Sequence, residues 1–597
     1  MKKKSPEDGN GPKKAKPTKK ATASESSATE APSGKNPLPP FPTKVQVTTK
    51  PVLVAPKRTG ITQITIENFK GLADKVEIPI RPITLLFGAN SAGKSTILQA
   101  LLYLSELLEG RNADADRLAP SGDSLDLGGF QEFVHKRDVN RKVRIGVTLR
   151  LDDDGLPESR QIFNPSVPEY SLTSPEADHV RDATVTVEVA WSNHHQKPFI
   201  TSYEVALDGI PFAAIHSQPG FEAHLDFINP DHPVFHQDPD GGQADEATDL
   251  FGALQSIYLD HNGADNAADC GPDMRERQRL SVGKNVIPDF ILGLPDAWTY
   301  QPQGEEEAWA ASWLVALLSR TVVGAGKRLI EELRGIRYIG PIRRIPERNF
   351  QPVRSPAPDR WADGSGAWDL ICKSDSDHRW LDPGAIRALG LGLALEQYRF
   401  FEVPVQSCMG VLIDVVRAPP DDSNHEADPE QGIVPSEIKK FRERSRLQLV
   451  SEITGLELQP GDVGIGVSQV LPVALGAMAP GGRILAVEQP ELHIHPAIQC
   501  NLADLLAHQV TKDDNRTMLL ETHSEHLILR MLRRIREHTE DELPPDAPLL
   551  TPEHLSVLWV EQDNGVVSIK SMPVNAQGDF DEQWPKGFFE ERFDEYE

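Results

Sequence analysis

The fold is decided by the stretch Gly88-Ala89-Asn90-Ser91-Ala92-Gly93-Lys94-Ser95, which fits the pattern G-x-x-x-x-G-K-[ST] and is followed by Thr96. An apolar run at 83–87 precedes it, and a helix-compatible run at 95–109 follows it. Glycines let backbone N–H groups curl around phosphate oxygens, and a helix N-terminus favours negative charge. The sequence therefore predicts a phosphate-binding loop in which Lys94 reaches the β- and γ-phosphates of a nucleotide and Ser95 ligates Mg²⁺.

A second apolar strand ends in an acid, in the segment RILAVEQPE at 483–491. Glu488 ends this strand, where a carboxylate can hold Mg²⁺, and Glu491 or Gln489 is the candidate for orienting the attacking water. An apolar run followed by Glu is common by itself. Its combination with the glycine loop makes the prediction of a nucleotide site specific.

A third strand, predicted at 517–520, ends in Glu521-Thr522-His523-Ser524 and leads into a helix-compatible run at 525–537. Ligands of an open parallel sheet bind at the carboxyl ends of its strands. We therefore expect His523 to face the γ-phosphate.

Alternating apolar residues predict further strands on both sides of the loop. Ile61, Ile64 and Ile66 alternate, and a second strand is predicted at 76–80. The runs at 141–151, 184–191 and 199–207 alternate like antiparallel strands, with a polar turn at 192–197, and predict an accessory β layer.

The remaining segments differ in composition. Residues 212–306 are loop-rich and acidic, and we interpret their first part as a mobile insertion; a helical stretch is predicted at 305–336. Pro/Asp-rich breaks at 351–366 and 419–431 predict surface loops. Asn564-Gly565 between apolar runs predicts a hairpin. Trp584, Phe588 and Phe589 are interpreted as docking onto the folded body, with a partner-binding tail as the alternative.

Charge and composition exclude several classes of protein. The 597 residues carry a net charge of −27, and the first sixty alone carry +9, so the rest carries −36 and repels a phosphate backbone unless basic side chains gather on one face. Residues 1–58 are rich in Lys, Pro and Ser, which predicts a disordered tail. No run reaches the roughly 18 apolar residues of a membrane span. We therefore expect no membrane partner. The four cysteines lack CxxC spacing, so we expect a cytoplasmic protein without zinc knuckles or disulfides.

Several motifs together resemble a known group: the glycine loop, IENFKG at 66–71, YIGPIR at 338–343, GIGVSQVLP at 464–472, EQPELHIHP at 488–496 and ETHSEH at 521–526. They look like predicted AAA-type ATPases with an ABC-like head, relatives of the overcoming-lysogenization-defect (OLD) and SMC ATPases. GDFDEQWPKGFF at 578–589 is similar to the small uncharacterised domain that closes one subfamily. The resemblance implies an α/β P-loop NTPase of ABC-ATPase head type with an accessory antiparallel β layer and helical insertions.

The resemblance also implies a mechanism with ATP and Mg²⁺ as cofactors. Two heads of a homodimer would sandwich two ATP molecules, with Gly466, Ser468 and Gln469 touching the partner's γ-phosphate. His523 would be the switch histidine, and Gln131 in GGFQEF a Q-loop residue that senses Mg²⁺, or else an ordinary polar loop residue.

The chain departs from this group in one respect. ABC heads commonly carry an acidic pair where this chain has Glu488 and Gln489, and glutamine cannot accept a proton as a carboxylate does. Either Glu491 or Glu488 orients the water, or hydrolysis is slow and the protein is an ATP-driven clamp. His493 and His495 resemble metal ligands, but no third ligand is suggested nearby.

We expect five segments: a tail at 1–58, the N-terminal part of the ATPase head at 59–151, an accessory β layer with a helical insertion at 152–336, the C-terminal part of the head at 337–540, and a small C-terminal domain at 541–597 with a hairpin and an acidic tail. Too few residues follow Glu521 for a nuclease domain of the kind that related chains carry. The effector, a nuclease or a toxin, would then be a separate protein, as in defence against phage.

Three alternatives remain open. A DNA repair or recombination ATPase would need a basic face, for which the candidates are Arg343, Arg344, Arg348, Arg442, Arg444 and Arg446. A transporter's nucleotide-binding subunit is disfavoured by the large insertions and the unusual 464–469 segment. A non-catalytic scaffold that binds ATP only to dimerise is compatible with Gln489.

Overall fold

The computed structural model describes residues 59–110, 113, 127–151, 155–157, 179–218, 223–229, 232–235, 280–283, 286–288, 316–347, 350, 352–353, 358–372, 381–402, 442–513 and 515–585. The predicted tail at 1–58, the predicted loop at 419–431, most of 230–315, and Phe588 and Phe589 lie outside these residues.

Seventeen strands occur in the described residues: β1 (Gly60–Glu67), β2 (Val76–Pro79), β3 (Ile83–Gly88), β4 (Val143–Arg150), β5 (Asp182–Ser192), β6 (Lys197–Leu207), β7 (Ile210–His216), β8 (Ala223–Ile228), β9 (Leu280–Gly283), β10 (Arg337–Ile339), β11 (Leu393–Glu402), β12 (Arg442–Ser451), β13 (Glu457–Leu458), β14 (Ile484–Glu488), β15 (Thr517–Glu521), β16 (Leu555–Asp563) and β17 (Val566–Ser571). The α-helices are α1 (Ser95–Leu108), α2 (Phe130–Phe133), α3 (Gly324–Leu333), α4 (Ser365–Cys372), α5 (Pro383–Ala388), α6 (Ile465–Met478), α7 (Pro496–Lys512) and α8 (Glu525–Thr539).

A six-stranded sheet in the order β10-β14-β15-β3-β16-β17 forms the centre of the fold. Its first five strands are mutually parallel, and β17 is antiparallel to β16. The strands β3, β14 and β15 are buried at every position, as expected for parallel strands covered on both faces. The predicted α/β architecture is confirmed.

Alternate side chains of β3 point into different hydrophobic cores. Ile83, Leu85 and Phe87 pack in a core shared with α6, α7 and α8, whereas Leu86 packs in a core shared with α1 and the large antiparallel sheet. Because β3 lies between β15 and β16, the glycine loop at its carboxyl end lies beside the carboxyl ends of its neighbours. This arrangement brings the predicted site residues to one edge of the sheet.

The predicted antiparallel strands are confirmed, and they join the first two strands in one sheet. The order is β2-β1-β4-β5-β6-β7-β8-β9. β1 pairs with β2 on one side and with β4, the first of the accessory strands, on the other. The interpretation of residues from 212 onward as a loop-rich insertion is wrong for β7, β8 and β9, which hydrogen-bond in antiparallel register. Their short runs carry too few alternating apolar residues for the pattern to be recognised.

Two predicted helix and loop boundaries also change. Within the stretch at 305–336, the described part has a π-helical turn at Ser319–Val323 that continues into α3. The predicted loop at 351–366 contains a 3₁₀ turn at Pro358–Trp361 and the first residues of α4, where Trp368 is fully buried. No helix within the described ranges is long and apolar enough to cross a membrane.

The C-terminal hairpin is part of the central sheet. Asp563 pairs with Val566 across the predicted Asn-Gly turn, and residues 555–560 of β16 pair in parallel with the whole of β3. The Val567 N–H donates to the carbonyl oxygen of Gly71 at 2.9 Å, which joins β17 to the IENFKG segment. The ring of Trp584 packs 5.5 Å from that of Phe87, so the predicted docking of this aromatic onto the head is confirmed.

The proposed division into five segments stays a prediction. Strands on both sides of the boundary at 151/152 hydrogen-bond in the large antiparallel sheet, and strands on both sides of 540/541 hydrogen-bond in the central sheet. Folding of the head therefore uses residues from the segments at 152–336 and 541–597 as well.

Candidate functional site

The glycine loop has a backbone that only glycine permits at its entry. Gly88 has φ of +148°, and a Cβ built there would lie 2.1 Å from the carbonyl oxygen of Val560 on the neighbouring strand. Gly93 has φ of +95°, and Ser91 takes the left-handed conformation with φ of 64°. The close approach of β16 thus shapes the loop, and α1 begins directly behind it at Ser95.

Lys94 lies over this loop with its side chain almost fully buried. Its ammonium donates to the carbonyl oxygens of Gly88 at 3.1 Å and Ala89 at 2.9 Å, and it lies 3.8 Å from the carboxylate of Glu521. Burial lowers the pKa of Lys94, and the charge of Glu521 raises it. The ammonium is placed where it can reach phosphate oxygens held by the loop.

Two carboxylates meet the hydroxyl of Ser95. Glu488 and Glu521 are paired in register at the ends of β14 and β15. The Ser95 hydroxyl donates to Glu521 Oε2 at 2.5 Å, and its proximity to Glu488 contributes to lowering the pKa of that carboxyl. Burial is the largest influence on Glu488 and raises its pKa, while a 2.6 Å hydrogen bond from Tyr338 lowers it. A hydroxyl between carboxylates is an oxygen donor set suited to Mg²⁺.

A second lysine supports this cluster. Lys70, from the IENFKG segment, is in the left-handed conformation with φ of 51°, and its ammonium donates to the amide oxygen of Gln99 on α1. Burial lowers the pKa of Lys70, and attraction by Glu488 raises it. Lys70 was expected only as part of the IENFKG motif, because its distance along the chain from Glu488 gives no sign of this interaction.

Glu491 clamps the loop that carries the histidine. Its carboxylate accepts a hydrogen bond from the Thr522 hydroxyl at 2.8 Å and one from the His523 N–H at 2.7 Å. Burial raises the pKa of Glu491, and these hydrogen bonds lower it. Both oxygens are therefore engaged, and a role of Glu491 in orienting water stays a prediction.

His523 follows the end of β15, next to the strand that carries the glycine loop, and its contact with the γ-phosphate stays a prediction. Burial lowers the pKa of His523, and so does the positive charge of Lys94, which places the two side chains within electrostatic range. The His523 Nε2 atom is buried and has no hydrogen-bond partner among the described residues. An unpartnered buried nitrogen beside a P-loop lysine fits a phosphate oxygen as its partner, so the residues present fit Mg-ATP.

Gln489 occupies a strained turn next to Glu488. Its φ is 49°, and its N–H donates to the carbonyl oxygen of Glu521 at 2.7 Å, so the ends of β14 and β15 are tied together. A non-glycine residue in this region is uncommon and often marks a functional site.

Arg343 joins the 338–343 segment to two other motifs. Its guanidinium donates to the carbonyl oxygens of Gln469 at 3.1 Å, Glu488 at 2.6 Å and Gln489 at 3.1 Å. Arg343 is one of the candidates for the basic face that the DNA repair alternative would need, but it is only 3% exposed and does not contribute to such a face. Arg344 is exposed and lies 3.5 Å from Asp363, whereas Arg348 lies outside the described residues.

The 464–469 segment forms the start of α6, and its residues differ in solvent exposure. Gly464 and Ile465 are exposed at the start of the helix, whereas Ser468 and Gln469 are buried. The Ser468 hydroxyl donates to the carbonyl oxygen of Ile465, and the Gln469 amide donates to that of Arg343. Contact of Ser468 and Gln469 with a partner's nucleotide stays a prediction that requires these side chains to leave the interior.

The other candidates lie around this centre. Gln131 is exposed in α2, and this short helix is tied to the IENFKG segment by a 2.6 Å bond from the Lys70 N–H to the Phe133 carbonyl oxygen. Its role as a Q-loop residue stays a prediction. His495 caps α7 by accepting from the Ala497 N–H at 3.2 Å. Across the part of the chain that the structure describes, no group of three His, Cys, Asp or Glu side chains is placed to hold a metal.

Two family models match the chain. Residues 60–205 match the family described as "AAA ATPase domain", and residues 409–530 match the family described as "AAA domain, putative AbiEii toxin, Type IV TA system". The fold is that of a P-loop NTPase of ABC-head type. ATP binding follows from the AAA ATPase match together with the glycine loop.

Solved structures of SMC heads are similar to this chain at low identity. The Smc head bound to the C-winged helix domain of ScpA shares 9% identity at a TM-score of 0.33, covering 86% of this chain and 98% of that one. The Smc head domain from Pyrococcus furiosus, bound to the C-terminal domain of ScpA, shares 11% sequence identity at a TM-score of 0.32. The match covers 86% of this chain and 96% of that one. The SMC head domain from Thermotoga maritima shares 8% sequence identity at a TM-score of 0.31, and the match covers 86% of this chain and 100% of that one. No curated protein sequence matches the chain.

Proposed function

We propose that the protein binds Mg-ATP, hydrolyses it to ADP and phosphate, and uses the nucleotide state to control a separate effector. The observation that carries this proposal is the convergence of Lys94, Ser95, Glu488 and His523 at one edge of the sheet, with His523 Nε2 buried and unpartnered among the described residues. The meeting of four side chains from three strand ends beside one glycine loop supports the proposal.

Each of these residues has a distinct task. Lys94 neutralises charge on the β- and γ-phosphates, and His523 donates a hydrogen bond from Nε2–H to an oxygen of the γ-phosphate. Ser95 and Glu488 would hold Mg²⁺, which when bound stabilises negative charge on the phosphate oxygens. Tyr338 fixes the orientation of the Glu488 carboxylate through its 2.6 Å hydrogen bond.

Orientation of the attacking water is the weakest part of the arrangement. Gln489 can donate or accept a hydrogen bond but cannot remove a proton, and both oxygens of Glu491 are engaged by Thr522 and His523. We therefore propose slow turnover, in which the ATP-bound state persists long enough to act as a signal. The same observation favours a second candidate, a scaffold that binds ATP without hydrolysing it.

A homodimer that sandwiches ATP is proposed as the working form. It is supported by the position of the 464–469 segment, whose first residues, Gly464 and Ile465, are exposed where a partner's nucleotide could approach. The effector is proposed to be a nuclease or toxin in phage defence, with support from the description of the second matching family. A DNA repair ATPase is less favoured, because Arg343 is buried and leaves the proposed basic face smaller.

The test is phosphate release by the full chain with Mg-ATP, with and without double-stranded DNA, while light scattering reports the oligomer mass. We expect slow release that Lys94→Ala lowers by about 100-fold or more and that Glu488→Gln also lowers. ATP-dependent dimerisation without any release would replace the ATPase by the scaffold. Absence of nucleotide binding by the wild-type chain would refute the proposal, and DNA-stimulated release would favour the DNA repair alternative.

A further inference from the structure

Glu521 is a buried carboxylate at the centre of the site, and none of the roles described above belongs to it. It ends β15, which lies between the strand of the glycine loop and the strand of Glu488. Its Cα is paired with that of Leu86 on one side and that of Glu488 on the other, and the residue is 8% exposed. The parallel register therefore fixes two carboxylates side by side at the sheet edge.

Both oxygens of Glu521 face the working groups of the glycine loop. Oε2 accepts from the Ser95 hydroxyl at 2.5 Å, and Oε1 lies 3.8 Å from the Lys94 ammonium. The backbone of Glu521 is held as well, because its carbonyl oxygen accepts from the Gln489 N–H at 2.7 Å. The carboxylate is thus held against the predicted Mg²⁺ ligand and the predicted phosphate ligand.

The charges around Glu521 require a cation once a nucleotide is present. Lys94, Lys70 and Arg343 balance Glu488, Glu491 and Glu521 in the structure. Lys94 lies 3.8 Å from Glu521, Lys70 is attracted by Glu488, and Arg343 interacts with Glu488 and Glu491. Phosphates would engage Lys94 and add negative charge. Two adjacent buried carboxylates would then repel each other and the phosphates unless a divalent cation lies between them.

We propose that Glu521 is a second carboxylate of the Mg²⁺ site, acting together with Glu488 and the hydroxyl of Ser95. The inference rests on the proposed function and deepens it, since it makes nucleotide binding strongly dependent on a divalent cation. Contacts with Ser95 and Lys94 assign Glu521 to the metal rather than to the attacking water. Oxygen-only donors of this kind select hard cations such as Mg²⁺ and Mn²⁺.

The experiment uses Mn²⁺ as the probe and the full chain with a non-hydrolysable ATP analogue. Electron paramagnetic resonance measures the Kd of Mn²⁺, and a separate titration in EDTA measures the metal-free affinity for the analogue. Glu521→Gln should raise the Kd of Mn²⁺ about tenfold or more, which is the usual loss when an interaction at a metal site is removed. The affinity for the ATP analogue in EDTA should stay equal or become tighter, because the substitution removes a negative charge. Glu540→Gln, at an exposed residue after α8, should change neither value.

A Kd of Mn²⁺ within twofold of the wild-type value in Glu521→Gln would overturn the proposal, and more decisively so if phosphate release were lost at the same time. Glu521→Asp separates charge from packing, since it keeps the carboxylate and shortens the side chain. It should bind Mn²⁺ more tightly than Glu521→Gln does; equal loss in both variants would indicate a packing role and refute the metal role. A wild-type chain that fails to bind the analogue at all would instead refute the proposed function.

Discussion

Replacing Arg343 by methionine should destabilise the protein and stop its chemistry together. The guanidinium is buried, and it donates to three carbonyl oxygens, those of Gln469, Glu488 and Gln489. Burial lowers the pKa of Arg343 to about 10, while the charges of Glu491 and Glu488 raise it, so the side chain stays a cation at neutral pH. Methionine fills a similar volume without any donor.

The magnitude follows from the partners that Arg343→Met leaves behind. Three carbonyl oxygens, two of them in buried hydrogen bonds, lose a charged donor, and Glu488 and Glu491 lose a cation. Breaking such a buried arrangement costs about 3–5 kcal/mol. In a chain of this size we expect a decrease in Tm of roughly 5 °C or more. Arg343→Lys keeps the charge but not the forked donor, so its cost should be about 1–3 kcal/mol.

The assay is thermal unfolding of the full chain followed by circular dichroism, with phosphate release measured on the same samples. Arg344→Met is the matched control: its side chain is 72% exposed and lies 3.5 Å from Asp363, so it should cost less than about 1 kcal/mol. The reasoning is refuted if Arg343→Met unfolds at the temperature of Arg344→Met and retains phosphate release. Loss of DNA binding alone in Arg343→Met would point back to a surface role.

Two further predictions concern the glycine loop and the C-terminal segment. Gly88→Ala should weaken nucleotide binding at least tenfold and lower the free energy of unfolding by about 1–3 kcal/mol, because the new Cβ would lie 2.1 Å from the Val560 carbonyl oxygen. Calorimetric titration with nucleotide checks the binding. The control is Gly110→Ala, where φ is also positive but nothing lies within 4 Å of the new Cβ. Trp584→Ala should cost roughly 2–3 kcal/mol in denaturant unfolding through lost packing on Phe87, and an unchanged unfolding midpoint would show that the docking is dispensable.

Local patterns in the sequence were sufficient for the central elements. The buried strand before Gly88, the helix from Ser95 and the strands ending at Glu488 and Glu521 all lie where the apolar runs and the glycine pattern predict them. The Asn-Gly turn between β16 and β17 is also confirmed. These features depend on residues close together in the chain, and short-range sterics, side-chain alternation and burial determine them.

Patterns failed where short strands or single charges depend on distant neighbours. The strands β7, β8 and β9 were hidden in a loop-rich composition, since each is stabilised by pairing with the next strand rather than by its own alternation. Arg343 looked like a surface cation, because its sequence neighbours, including Arg344, give no sign of the carbonyl oxygens that surround it. Burial of a charged group is decided by its partners in space.

The sequence by itself determined that this protein has a phosphate-binding loop between a buried strand and a helix, because that chemistry is written in eight consecutive residues. The tertiary structure decided which acidic side chains lie beside the loop. Ser95 and Glu521 are 426 residues apart in the chain, yet their side chains are hydrogen-bonded. Only the parallel pairing of β3, β15 and β14, driven by burial of their apolar faces, brings the loop and both carboxylates to one edge of the sheet.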